Sequence, residues 1–141
     1  MHVHPTGEFA NHAKDYDHIT VVPLGAAMGA EIQNIDVRDL TDESFAEVAG
    51  ALHRHKMIFF RDHDISHSDQ EEFTLRFGPF GKDAYTPGVE GHPEVQPVLK
   101  EAGSKAHMIF GGAWHTDSPF LPQPPACLLY TSDAADDLTR V

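Results

Sequence analysis

The apolar run Met57-Ile58-Phe59-Phe60, closed by Lys56 on one side and Arg61 on the other, constrains the fold more than any other stretch of the 141 residues. It is too short for a helix and is apolar at successive positions. Its aromatic and β-branched side chains fit a short strand buried on both faces. The flanking segments carry a different period. Upstream, Phe45, Val48, Ala49 and Leu52 recur at i, i+3, i+4 and i+7, one apolar stripe of a helix that Thr41 or Asp42 can cap. Downstream, Ser66-x-x-Asp69 and Ser68-x-x-Glu71 both resemble helix-start boxes, Phe73 and Phe77 lie four apart, and Gly78-Pro79 stops the pattern. The spacing predicts helices over 42–55 and about 67–77, with a buried strand at 57–61 between them.

The remaining segments extend a mixed α/β pattern. Ile19 to Leu24 is β-rich and ends at Gly25. Gly29 to Val37 alternates until Asn34, which predicts a short strand with an irregularity there. Residues 79–93 are rich in Gly and Pro and form a long loop, a frequent location for function. Val95 to Leu99 and Met108-Ile109-Phe110 are further strand candidates, the second leading into Trp114-His115-Thr116-Asp117. Pro119, Pro122, Pro124 and Pro125 then forbid a helix and disfavour a central strand. Residues 1–18 lack periodicity and are expected to be a mobile N-terminal arm.

Charge narrows the function. Ten Lys+Arg against 22 Asp+Glu give a net charge of −12, which argues against nucleic acid and anionic membrane surfaces as partners. No apolar run approaches the roughly 20 residues of a membrane span, and Met1 to His18 has no apolar core of a secretory signal. The single cysteine, Cys127, excludes an intramolecular disulfide framework and a multi-Cys zinc site. A cytoplasmic location is expected. Histidine is abundant at 11 residues, so metal ligation must be weighed at each.

His115-x-Asp117 is the sharpest signal. On a strand, residues i and i+2 share a face, so an imidazole nitrogen and a carboxylate oxygen can converge on one ion. One more histidine would complete the 2-His-1-carboxylate triad of non-haem Fe(II) oxygenases. A bare His-x-Asp also arises by chance as an exposed hydrogen-bonding pair. Its surroundings single it out: Gly111-Gly112 and Trp114 precede it, and a Pro-rich segment follows.

The chain resembles the N-terminal part of the taurine dioxygenase (TauD/TfdA) family. The matching pieces are Ile19–Leu24, Gly29-Ala30-Glu31-Ile32, the helix ending in His53-Arg54-His55, Met57 to Asp62, Phe77-Gly78, Trp114-His115-Thr116-Asp117 and Pro124-Pro125-Ala126. They occur in the family's order across residues 19–126. The resemblance implies a double-stranded β-helix, or jelly roll, with flanking helices, incomplete in this chain. It implies Fe(II), with 2-oxoglutarate and O₂ as co-substrates, hydroxylation of a small organic substrate, and His115 and Asp117 as two of three iron ligands. Asp117 favours hydroxylation over halogenation, because related halogenases put a small residue in its place. A second histidine and an arginine for 2-oxoglutarate lie far downstream in the family, beyond residue 141. The chain alone is therefore expected to be inactive and marginally stable, with homo-oligomerisation open for the full-length protein. In the taurine-using member a His and a Tyr follow the Phe-Gly and an Asn precedes the Trp-His. Those places hold Asp83, Thr86 and Gly111 here, so taurine is not the expected substrate.

Residues 127–137, from Cys127 to Asp137, also resemble the translation of a transposon-end adaptor used in preparing sequencing libraries. Residues 127–141 are thus expected to be a non-native tail, against the rival of a native strand Cys127–Tyr130. Without the tail the chain keeps 19 acids and nine bases and no cysteine.

Other residues have competing readings. Asp83 and Tyr85, on the loop after Phe77-Gly78, are candidate substrate contacts. Trp114 either packs beside the site or stacks on substrate. His53 and His55 close a helix, where cations suit the dipole, and a structural role is expected of both. His63 and His67 are expected to be solvated, and His92 and His107 to border the long loop. His2-x-His4 could bind metal, and a small metal-binding protein built on that arm is one alternative. A non-catalytic binding or structural protein on a similar scaffold is another. A distal His and Arg in the downstream sequence would separate the enzyme from that alternative.

Overall fold

The computed structural model describes residues 10–81, 87–98, 115–116 and 118–131. They fall into two compact units divided at Phe77–Gly78. The first unit carries the regular structure: strands β1 (Thr20–Pro23) and β2 (Ala30–Gln33), helix α1 (Asp42–His55), strand β3 (Ile58–Phe59) and helix α2 (His67–Phe77). The class is mixed α/β.

The sheet has the order β1-β2-β3. β1 and β2 are antiparallel, with Val21 opposite Ile32 and Pro23 opposite Ala30. β3 runs parallel to β2, with Ala30 opposite Ile58 and Glu31 opposite Phe59. A parallel pair needs a crossover connection, and α1 supplies it. Val21, Ala30 and Ile32 point inward and are buried, the period of 2 expected of a half-covered sheet. Pro23 ends an edge strand, where its missing N–H costs no ladder bond. β2 stops where Asn34 enters the left-handed region at φ 62°, the irregularity its sequence predicts. Asn34 Nδ2 donates to Thr20 Oγ1 at 2.8 Å and so ties that corner to β1.

Both helices start at the expected caps. Thr41 Oγ1 accepts from the Ser44 N–H at 3.2 Å. At α2, Ser66 Oγ accepts from the Asp69 N–H at 3.2 Å, while Asp69 Oδ2 accepts from the Ser66 N–H at 2.8 Å, a reciprocal box. α1 ends at Lys56, which takes φ 68° and donates its N–H to the Leu52 carbonyl at 2.7 Å.

Three expectations are corrected. The buried stripe of α1 is Ser44, Val48, Ala51 and His55, not Phe45, Val48, Ala49 and Leu52, three of which are half-buried. The helix is turned by about one residue, which brings Ser44 and His55 into the interior. The strand expected at 57–61 pairs only at Ile58 and Phe59, and both are half-buried. Among the described residues β3 has a partner on one side only, and Met57 stays 50% exposed. Val95 to Val98 is not a strand. The Val95 N–H bonds to His92 O at 3.1 Å and the Val89 N–H to Val95 O at 2.9 Å, folding this stretch into a turn with an isolated bridge between Val89 and His92. Gly88 permits that turn, because a Cβ there would collide with the Pro93 backbone. The strand candidate at 108–110 lies outside the described residues.

α2 docks through a chain of edge-to-face rings. Phe45 meets Phe77 at 4.9 Å, Phe77 meets Phe73 at 5.2 Å, and Phe73 meets Phe60 at 5.6 Å. Such pairs contribute about 0.5–1.5 kcal/mol each beyond their buried area. Phe73, 4% exposed, sits at the centre. Phe73→Ala is expected to destabilise the fold by about 3–5 kcal/mol, read as a lowered urea midpoint. Gly50 gives the opposite expectation. It lies inside α1, is exposed, and a Cβ there would meet nothing within 4 Å. Gly50→Ala should stabilise the fold by about 0.5–1 kcal/mol, read in the same titration.

Candidate functional site

The expected site residues belong to the second unit. Its described residues form turns, with a single isolated bridge between Val89 and His92. His115 and Thr116 are described, both exposed and outside any strand. The strand geometry expected for His115-x-Asp117 is thus absent at the described half of the motif. Asp117, Trp114, Asp83 and Tyr85 lie outside the described residues, as does His107. Beyond the motif, Ser118 takes φ 40° and its carbonyl accepts from the Leu121 N–H at 3.1 Å, a turn that reverses the chain at once. The proline-rich segment then leads to Pro125, whose Cγ would lie 3.8 Å from a Cβ added at Gly81. The loop leaving Phe77-Gly78, which bears Asp83 and Tyr85, therefore starts against the segment that leaves the His-x-Asp motif. Leu128 and Tyr130 are 47% and 72% exposed.

The donor types of His115 and Asp117 fit an oxygen-activating metal: one imidazole and one carboxylate at i and i+2. His115 is exposed. Among the described residues, no group of three or more His, Cys, Asp or Glu is arranged to hold a metal.

The first unit holds a second polar cluster, on the face of α1 turned to residues 11–18. The Glu47 carboxylate accepts from the Asp17 and His18 N–H groups, each at 2.9 Å. Arg54 Nε donates to the His12 carbonyl at 3.0 Å. His55 is fully buried and its Nδ1 lies 2.5 Å from Asn11 Oδ1. Lys14, Asp15, Tyr16, Asp17, Glu47 and Arg54 line an open groove of about 770 Å³ beside this seam. The expected arm, residues 1–18, is thus anchored over 11–18, while residues 1–9 lie outside the described ones.

Comparison with known proteins follows the motif order. The family model "Taurine catabolism dioxygenase TauD, TfdA family" matches residues 20–135. The chain belongs to the TauD/TfdA family. An alpha-ketoglutarate-dependent sulfate ester dioxygenase of Pseudomonas putida is 30% identical over 128 residues, covering 89% of this chain and 40% of that protein. An alpha-ketoglutarate-dependent sulfonate dioxygenase of Saccharomyces cerevisiae is 26% identical over 137 residues, covering 89% of this chain and 33% of that one. This TauD/TfdA chain therefore spans 40% or less of the length of these curated relatives. A crystal structure from Burkholderia xenovorans, provisionally described as an alpha-ketoglutarate-dependent taurine dioxygenase, superposes with a TM-score of 0.50 at 35% identity. It covers 53% of this chain and 28% of its own.

The His55–Asn11 pair was not expected as a pair. His55 is visible in the sequence only as the last step of the stripe Ser44, Val48, Ala51, His55, and Asn11 has no periodic signal at all. His63 is likewise less solvated than expected: it is half-buried, with Nε2 3.0 Å from Ile35 O and Nδ1 2.8 Å from Arg61 O. No helix among the described residues is long and apolar enough to cross a membrane.

Glu47 yields a pH expectation. Partial desolvation pushes its carboxyl up, but the N–H groups of Asp17 and His18 outweigh this and hold it below the ordinary carboxylate range. A depressed folded value means the anchorage is complete above the unfolded value of about 4.3 and is lost as pH falls through the lower folded value. Glu47→Gln should speed amide exchange at Asp17 and His18 at neutral pH, read by NMR, while leaving the α2 amides unchanged.

Proposed function

We propose that this chain is the N-terminal part of an Fe(II)- and 2-oxoglutarate-dependent dioxygenase that hydroxylates a small organic substrate. The observation that carries the proposal is the family match over residues 20–135, which contains the ordered motifs and His115-Thr116-Asp117. The relatives from Pseudomonas putida and Saccharomyces cerevisiae both bear names of alpha-ketoglutarate-dependent dioxygenases, which supports the reaction class. In this reading the full domain is a jelly roll with flanking helices, and residues 19–126 form its first part. The protein is cytoplasmic and meets neither nucleic acid nor membrane. Residues 127–141 remain a non-native tail by their likeness to adaptor sequence.

His115 would bind the metal through a ring nitrogen and Asp117 through a carboxylate oxygen. A further histidine would come from sequence outside this chain. When bound, the iron supplies O₂ activation, coupled to the oxidation of 2-oxoglutarate to succinate and CO₂. The chain's own contribution is to fix the two donors on one short segment, with the Ser118 turn and the prolines behind them limiting backbone freedom. Asp83 and Tyr85 would contact the substrate from the loop that starts beside Pro125, and Trp114 would pack beside the site or stack on the substrate. The acidic net charge leaves room for an anionic substrate, since the local field decides.

The test uses a full-length protein carrying this segment. His115→Ala and Asp117→Ala should each lower substrate-dependent succinate release by at least about a thousandfold, as expected when a metal that generates the reactive oxidant loses a ligand. Iron content measured in parallel should fall with it. Retention of most of the activity in both variants would remove the metal assignment.

A further inference from the structure

The described segment 11–18 lies along α1, and one of its attachments uses a buried, titratable group that the proposed oxygenase chemistry does not use. Asn11 Nδ2 donates to two backbone carbonyls, Gly25 O at 2.5 Å and Gly29 O at 3.0 Å. Those bonds fix the amide, so Oδ1 faces His55 Nδ1 at 2.5 Å. An amide oxygen can only accept, so Nδ1 must carry the imidazole proton. The other ring nitrogen, Nε2, is then a bare lone pair. It is buried and has no hydrogen-bond partner among the described residues. A second proton would have to enter there, with no acceptor to receive its N–H.

The groups around His55 make that proton still less welcome. Burial is the main influence holding its basicity below the ordinary histidine range, and the cations Arg54 and Lys56 add to it. The turn before β2 brings the carbonyls of Gly25 and Gly29 to Asn11. The segment itself brings Asn11, with His12 next to it exposed. His55 also holds the sheet, because its carbonyl accepts from the Gly29 N–H at 2.9 Å. The same short stretch thus joins three parts: the segment, the turn and the helix end.

We propose that His55 and Asn11 form an acid-sensitive latch that fastens the N-terminal segment 11–18 to the end of α1. Above the unfolded histidine value of about 6.5 the ring is neutral in both states and the latch is at full strength. As pH falls below that value, the released state takes up a proton that the latched state refuses. The latch therefore weakens toward the lower folded value, by at most about tenfold in the opening equilibrium per pH unit. The window is distinct from that of Glu47, which lies below about 4.3.

The experiment is amide exchange by NMR on the full 141-residue chain at pH 7.5 and pH 5.5, each rate divided by its intrinsic rate at that pH. Protection at Asp17 and His18 should fall severalfold between the two while protection in α2 holds. His55→Gln keeps a side-chain donor for Asn11 and cannot titrate in this range, so it should abolish the step. Asn11→Ala should lower protection at Asp17 and His18 at both values and remove the step between them. A wild-type segment equally protected at both, an equal fall in α2, or an undiminished step in His55→Gln would each overturn the latch. The ¹⁵N shifts of the wild-type ring give a check that needs no variant: Nδ1 must be protonated and Nε2 bare at pH 7.5. The reverse tautomer would refute the assignment.

Discussion

The fold of the first unit depends on how α1 is turned into β3. The helix ends in one left-handed residue, Lys56, and the next residues must already be beside β2. Two backbone bonds accomplish this: Gly29 N–H to His55 O at 2.9 Å and Ala30 N–H to Met57 O at 3.0 Å. The first caps a helix carbonyl that would otherwise have no partner, and the second opens the parallel ladder. Gly29 is needed at the meeting point. It has φ 90°, and a Cβ there would lie 3.3 Å from Met57 Cε. With that joint made, β2, α1 and β3 have a single arrangement, and β1 follows through its short turn to β2.

The elements of this unit were legible because their signals are local. Thr41, the Ser66–Asp69 box, Gly78 and the odd conformation at Asn34 act within a few residues of where they stand. Burial was legible only in part. Hydrophobicity alone places Phe45 and Leu52 on the inner face of α1, yet Ser44 and His55 occupy it. The reason is that both polar groups find partners: Ser44 Oγ donates to Thr41 O at 3.2 Å, and His55 meets Asn11. Once satisfied, a polar group no longer carries the full penalty of burial. Such pairing depends on residues as far apart as 11 and 55 and has no periodicity to betray it.

The donor types of the candidate site are legible in the sequence, and their geometry is not. His-x-Asp signals two donors of suitable kind wherever it occurs, but convergence requires a backbone that holds both on one side. Here His115 and Thr116 are not in a strand, and Ser118 turns the chain immediately after. A strand needs a ladder partner, and the sheet among the described residues is formed wholly by residues 20–59. Sequence periodicity reports which residues want to be covered. It does not supply the neighbouring strand, and a motif whose meaning rests on strand alternation inherits that dependence. The family match spans the motif by its place along the chain and does not depend on its local shape.

The use of the few cations follows from the acidic composition. Each of the four arginines among the described residues serves a joint. Arg76 donates to Leu40 O and Thr41 O, pairs with Asp42 at 2.9 Å, and lies 4.6 Å from the Phe45 ring. Arg61 pairs with Glu31 across the sheet and covers Phe59 at 4.8 Å. Arg38 closes on Asp36, and the paired guanidinium holds that carboxyl well below its usual range. Arg54 fastens the N-terminal segment. Exposed ion pairs contribute little alone, about 0–1 kcal/mol. Their value here lies in direction: a guanidinium that donates to carbonyls and covers a ring fixes one element against another in a single orientation. Two of these cations, Arg76 and Arg61, cover the aromatic side chains of α1 and β3 from outside. The acidic groups they do not neutralise remain on the surface, so the unit keeps a repulsive exterior while its joints are held by the minority charge.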